Sequence, residues 1–199
     1  MKNAVGLYFK ELAQAIEHVK CSGPHGHHLD RAEAYDRALD ISLAAAERGN
    51  KLIFIGNGGS AAIASHMAID FSKNGGMRAM CFNDSAALTC LGNDYGYEDV
   101  FSRQLGFHGQ PGDVLYAISS SGRSPNILKA VAKARELGCQ IVTMSGFRED
   151  NPLRALGDVN FYVASEKYGT VEVAHTALIH AVVDVKIGRF TMARAPSAI

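Results

Sequence analysis

Lys51-LIFIGNGGSAAIASH-Met67 and Asp113-VLYAISSSGRSPNILK-Ala130 each run from an apolar strand pattern straight into a Gly/Ser-rich turn that opens a helix. A short apolar run bounded by such a turn and followed by helical periodicity is the signature of a βα unit in a parallel sheet. In such sheets the turns lie at the carboxyl edge, where free helix N–H groups and hydroxyls can surround an anion. The pairing therefore points to a phosphorylated small molecule.

Outward from these two units the pattern continues as strand and helix in alternation. Strands are expected at Leu52–Ile55, Arg78–Phe82, Val114–Ile118, Gln140–Met144 and Val159–Val163. Helices are expected from Ser60 to Ser72, from Ser85 onward, from Ser124 to Leu137 and from Val171 to Ile187. This predicts an α/β three-layer sandwich whose mainly parallel five-stranded sheet is covered on both faces. Two helices, within Met1–Lys20 and Leu29–Gly49, precede the sheet, with a Gly/Pro break between them that carries His25, His27 and His28. The break reads as a surface turn, and the tail Ala193–Ile199 as frayed. At 199 residues and 47% hydrophobic content the chain fits a single domain over 1–199, with N-terminal helices over 1–50 and the sheet-bearing core over 51–190.

Charge and composition exclude several classes of function. Lys plus Arg and Asp plus Glu number 20 each, so no global field draws the chain to nucleic acid or to an anionic membrane. No apolar run approaches a membrane span, and the N-terminal pattern is amphipathic with charges throughout, which suggests a cytoplasmic protein. Cys21, Cys81, Cys90 and Cys139 form no CxxC pair. Small buried thiols are the expectation for Cys81, Cys90 and Cys139, and no disulfide or metal-ligand role is expected of the four.

Ser119, Ser120, Ser121 and Ser124 supply four hydroxyls at a helix start where Pro125 occupies the first helical position, enough to saturate phosphate oxygens without a lysine. The turn Gly56-Asn57-Gly58-Gly59-Ser60 has neither the Lys-Ser/Thr end of a P-loop nor GxGxxG spacing, so no nucleotide cofactor is indicated. Its glycines allow close approach of a ligand, and Asn57 and Ser60 add polar groups. His66 and Asp70 share a helix face at a spacing of four. On the last helix Glu172 and His180 lie eight apart and can approach one site. Two imidazoles and two carboxylates are a plausible set for zinc or another divalent metal. His175 is out of phase with Glu172 and His180 and reads as a core or interface histidine. Tyr95, Tyr97 and Phe101 read as core or subunit contacts.

GNGGSAA at 56–62, Leu91-GNDYGYEDVFSR-Gln104, SSSGRSPNI at 119–127 and EVAHTALIH at 172–180 together resemble the sugar isomerase (SIS) domain family, and within it the phosphoheptose isomerases. The likeness covers about residues 1 to 190. It implies a flavodoxin-like or Rossmann-like fold assembled as a homotetramer with active sites between subunits. It implies phosphate binding by Ser119, Ser120, Ser121 and Ser124, and sugar binding by Asn57, Gly58, Gly59, Asn93 and Asp94. It further implies zinc at His66, Asp70, Glu172 and His180, with the second and fourth also serving as catalytic base and acid. Two positions depart from the family pattern, which has glutamate where this chain has Asp70 and glutamine where it has Glu172.

The activity so implied is aldose–ketose isomerisation of a sugar phosphate, sedoheptulose 7-phosphate to D-glycero-D-manno-heptose 7-phosphate, in heptose synthesis for lipopolysaccharide or capsule. A carboxylate at Asp70 or Glu172 supplies the base and His180 the acid. Two alternatives share the pocket: a non-catalytic SIS adaptor that binds a protein such as the replication initiator, and an isomerase of another sugar phosphate.

Overall fold

The computed structural model describes residues 2–186 and 188; the tail expected to fray, 193–199, lies outside them. Seven strands form one mixed sheet. In chain order the elements are α1 (Lys2–Glu17), β1 (Lys20–Ser22), β2 (His28–Leu29), α2 (Arg31–Glu47), β3 (Leu52–Gly56), α3 (Gly59–Lys73), β4 (Ala79–Cys81) and α4 (Ser85–Tyr95). They continue as α5 (Val100–His108), β5 (Val114–Ser119), α6 (Pro125–Glu136), β6 (Gln140–Ser145), β7 (Val159–Tyr162) and α7 (Tyr168–Lys186). The sheet order is β2-β1-β7-β6-β5-β3-β4.

The sheet has seven strands and is mixed, not the expected mainly parallel five. Strands β3 to β7 are the five read from the sequence and pair in parallel, but β1 and β2 form an antiparallel hairpin whose β1 pairs antiparallel to β7. The break at 21–28 is thus part of the sheet and not a loop between helices. Its strands are three and two residues long, too short for alternation to register. What holds the hairpin is distant in sequence: the buried Asn160 amide donates to the carbonyls of Ser22 and Gly23, while its oxygen accepts from Thr143 Oγ1 and Gly157 N–H.

The parallel strands alternate their side chains between two cores, as a strand's period of two requires. Leu52, Phe54, Tyr116 and Met144 face α2, α3 and α7, whereas Ile53, Ile55, Leu115 and Ala117 face α4, α5 and α6. Each Leu, Ile, Phe or Met among them, buried completely, stabilises the fold by about 1.5–3 kcal/mol. Of the thiols expected to be buried, Cys139 is, Cys81 is half-buried and Cys90 is exposed, contrary to the expectation for that thiol; Cys21 is buried.

The bottom of the sheet is fastened by a buried ion pair. Asp113 has no side-chain exposure and lies 2.6 Å from Lys51 Nζ, and it also accepts from the backbone N–H groups of Lys51 and Gln110. Burial pushes its carboxyl up, but hydrogen bonds from Lys51, Gln110 and Asn50 outweigh burial and hold it below its ordinary value. A lowered folded value means the stabilisation is complete above the unfolded value of about 3.9 and is lost as pH falls through the folded one. Asp113→Ala should therefore cost about 3–5 kcal/mol near neutrality, since Lys51 is left without its partner, and the difference from wild type in thermal midpoint should shrink at pH 3.

Among β3 to β7 the order is 2-1-3-4-5, that of doubly wound flavodoxin-like sheets, in which ligands bind where the order reverses. The reversal falls between β3 and β5. The two strands that lead into the Gly/Ser-rich turns are therefore neighbours, and their turns open side by side.

Candidate functional site

A cleft of about 240 Å³ lies at this reversal, lined by Asn57, Gly58, Gly59, Ser60, Ser119, Ser120, Ser121, Ser124, Tyr168 and Glu172, with Ile118 beneath. Gly58 opens α3 at φ 55°, ψ −123°, a conformation only glycine adopts without strain, and it aims the first turn of the helix at the cleft. On the opposite wall Ser124 sits at the N-cap of α6, yet its hydroxyl makes no capping bond and lies 3.4 Å from Ser119 Oγ. Ser120 Oγ is buried without a hydrogen-bond partner among the described residues. A buried hydroxyl left unpaired costs about 1–3 kcal/mol, and an anion's oxygen would relieve it. Arg123, the cation in this loop, is engaged by Asp150 at 2.8 Å. Hydrogen bonds from Arg148, and then from Arg123, hold the Asp150 carboxyl at about 2. The serine side of the cleft thus presents hydroxyls, with Arg123 paired to Asp150.

Helices α3 and α7 run in the same sense, so Gly59 meets Glu172 near their starts and Asp70 meets His180 two to three turns on. A Cβ on Gly59 would overlap the Glu172 carboxylate. A side chain at this position would have to displace the Glu172 carboxylate. Further along the seam, the ligand atoms of His66, Asp70 and His180 lie within 4.8 Å of one another. Asp70 Oδ2 is 3.4 Å from His66 Nε2 and 3.5 Å from His180 Nδ1, while Asp70 Oδ1 accepts from Asn74 Nδ2 at 3.2 Å. With bonds of about 2.0–2.2 Å, neighbouring ligands of a tetrahedral ion are roughly 3.3–3.6 Å apart. Both separations match, so the group fits a divalent cation and can coordinate one.

Of the four candidate ligands, the structure brings His66, Asp70 and His180 together and places Glu172 in the cleft, outside their group. Asn93 and Asp94 lie exposed near the end of α4, away from the cleft's lining, with Asn93 Nδ2 donating to Asp94 Oδ1. His175 is fully buried, with Nε2 3.0 Å from the Ser145 carbonyl, and burial pushes it down to about 4 so that it stays neutral. Phe101 is core, but Tyr95 and Tyr97 are exposed.

Several supporting residues carry no signal in the sequence pattern. Tyr168 closes one side of the cleft and stands edge-on to Phe147 at 4.7 Å. Asn151, from the turn after β6, lies against Gly122 and donates to the carbonyls of Gly146 and Arg148, bracing the serine loop from behind. Asn126, buried beside the cleft, pairs with Asn57. A polar residue on a helix gives no local sign that its partner is 69 positions away.

Fold and cleft together define a doubly wound α/β domain with a serine- and glycine-lined cleft at its switch point. The sequence pattern of the SIS domain matches residues 27–146, and the chain belongs to the SIS-domain family. It is closely related to the phosphoheptose isomerases. That of Helicobacter hepaticus is 38% identical over 158 residues, 76% of this chain and 80% of the relative. That of Pelobacter propionicus is 41% identical over 149 residues, 72% and 78% of the two chains. The structure of phosphoheptose isomerase from Neisseria gonorrhoeae superposes with a TM-score of 0.81 at 31% identity, covering 95% of this chain and 99% of that one. No helix among the described residues is long and apolar enough to cross a membrane.

Proposed function

We propose that the protein interconverts sedoheptulose 7-phosphate and D-glycero-D-manno-heptose 7-phosphate, an aldose–ketose isomerisation of a sugar phosphate. The observation that carries this is the placement of the Glu172 carboxylate, without a partner among the described residues, in the same cleft as the serine cradle, on the seam that leads to the His66–Asp70–His180 group. Phosphate bonded to Ser119, Ser120, Ser121 and Ser124 anchors one end of the sugar, and Asn57, Gly58, Gly59 and Ser60 line the path from it. Asn93 and Asp94 reach the sugar from a neighbouring subunit.

From the ketose, a base removes the proton on C1 while an acid protonates the C2 carbonyl oxygen, giving an enediol. The C1 hydroxyl then loses its proton and C2 takes one up, leaving the carbonyl at C1. Glu172 is the base at carbon, because both oxygens of Asp70 are already engaged by Asn74, His66 and His180. His180 moves the proton at oxygen, its ring held in place by Asp70. Zinc at His66, Asp70 and His180 would supply Lewis acidity for the sugar's oxygens. Elemental analysis should find about one zinc per chain, and His66→Ala and His180→Ala should each abolish retention.

The same reading includes a homotetramer with sites between subunits. Its support is the 55% exposure of the His66 side chain and the apolar groups left open on α1 (Val5, Leu7, Phe9), on α3 (Ile69) and on α7 (Val173). A cytosolic setting accords with four free cysteines. Proton NMR of sedoheptulose 7-phosphate incubated with the zinc-loaded protein tests the function: anomeric signals of the aldose phosphate should grow in. Binding without turnover would instead favour a non-catalytic sugar-phosphate module.

A further inference from the structure

The orientation of the Asn57 amide is fixed by a chain of hydrogen bonds that begins outside the cleft. The backbone N–H of Ile127 donates to Asn126 Oδ1 at 3.0 Å, and a backbone N–H can only donate, so that atom is the oxygen. Asn126 Oδ1 also accepts from Asn57 Nδ2, and Asn126 Nδ2 donates to Asn57 Oδ1, both at 2.9 Å. Asn57 Oδ1 is thereby an acceptor, and the Tyr97 hydroxyl, 3.0 Å away, must donate to it. Asn57 Nδ2 keeps one N–H without a partner among the described residues, on a side chain that lines the cleft.

We propose that Tyr97 and Asn126 are positioning residues that lock Asn57 as a hydrogen-bond donor to an oxygen of the bound sugar, separate from the phosphate cradle. Three elements meet in this lock: the turn after β3, the first turn of α6, and the short turn between α4 and α5. Tyr97 is 58% exposed, so its ring adds little to the core and its hydroxyl bond is its main link to the site. The same turn is tied to α6 by Lys129, which lies 3.0 Å from Glu98 and 2.9 Å from Asp99. That anchor keeps the phenol over Asn57 without help from a ligand. Without the Tyr97 donor, the Asn57 oxygen retains only Asn126, and the amide is freer to turn. The inference rests on the proposed sugar-phosphate site.

Calorimetric affinities for sedoheptulose 7-phosphate and for inorganic phosphate, with kcat and KM, test it in wild type, Tyr97→Phe, Asn126→Asp and the double variant. Tyr97→Phe should weaken sugar-phosphate binding and kcat/KM about tenfold, mainly through KM, and leave inorganic phosphate affinity and the thermal midpoint unchanged. Asn126→Asp keeps the acceptor for Ile127 and Asn57 but loses the donor to Asn57 Oδ1. Because both variants act through one amide, the double variant should lose less than the product of the single losses. A sugar-phosphate affinity within twofold of wild type in Tyr97→Phe would overturn the proposal. So would a parallel fall in phosphate affinity and thermal midpoint, which marks a merely structural role. Wild type that binds the sugar phosphate without isomerising it overturns the catalytic reading alone, because the two affinities still decide this one.

Discussion

Glu172→Gln is expected to lower kcat by about 10²–10⁴, the range that a positioned general base contributes, while KM changes little. The substitution keeps the side chain's length and removes only its ability to accept a proton. It also restores the residue type that the family resemblance implies at this position, so a mere loss of fit is not the expected outcome. Asp70→Asn is the comparison. Asp70 is bound through both oxygens, to Asn74 on one side and to two histidines on the other, so its loss should appear first as lost metal and a loosened His180. If Glu172→Gln retains near wild-type turnover while metal-replete Asp70→Asn does not, the base is Asp70 and the division of labour drawn here is reversed. Steady-state kinetics with metal content measured on the same samples separates the two.

Ser120→Ala should raise KM by roughly 10- to 150-fold, because one hydrogen bond to a charged group is worth about 1.5–3 kcal/mol. Its effect on the fold should be nil or slightly stabilising. Ser120 Oγ is buried and has no partner among the described residues, so its removal deletes an unsatisfied group and no contact. Ser119 makes a useful contrast, since its hydroxyl accepts from Gly122 N–H and shapes the loop as well as facing the cleft. Ser119→Ala should weaken binding and lower the thermal midpoint together. A Ser120→Ala protein with unchanged KM would show that the phosphate sits elsewhere.

The five parallel strands and the two turns were legible because each βα unit carries its own punctuation: an apolar run, a glycine or serine turn, then helical periodicity. Ser124 and Pro125 marked the start of α6 within a residue. The hairpin at β1 and β2 was not legible. Five short residues without alternation give no strand signal, and the Asn160 contacts that hold them join positions about 138 apart. At the site, residue type and helical spacing together with the family resemblance nominate His66, Asp70, Glu172 and His180 as one set, and the structure gathers three of them. Spacing could not tell that Glu172 turns toward Gly59, because that depends on how closely α3 and α7 pack. Nor could it separate Tyr97 from its apolar neighbours: Phe101, four positions on, is buried, whereas the Tyr97 hydroxyl reaches Asn57 across a fold-level contact.

The central claim is that this cleft removes a proton from carbon. The most direct measurement is solvent isotope incorporation: sedoheptulose 7-phosphate incubated with the protein in D2O and followed by NMR and mass spectrometry. Deuterium should appear at C1 of recovered ketose or at C2 of the aldose, slowed in proportion to kcat in Glu172→Gln. Tight binding of the sugar phosphate with no carbon-bound deuterium and no aldose after many wild-type turnover times would contradict it.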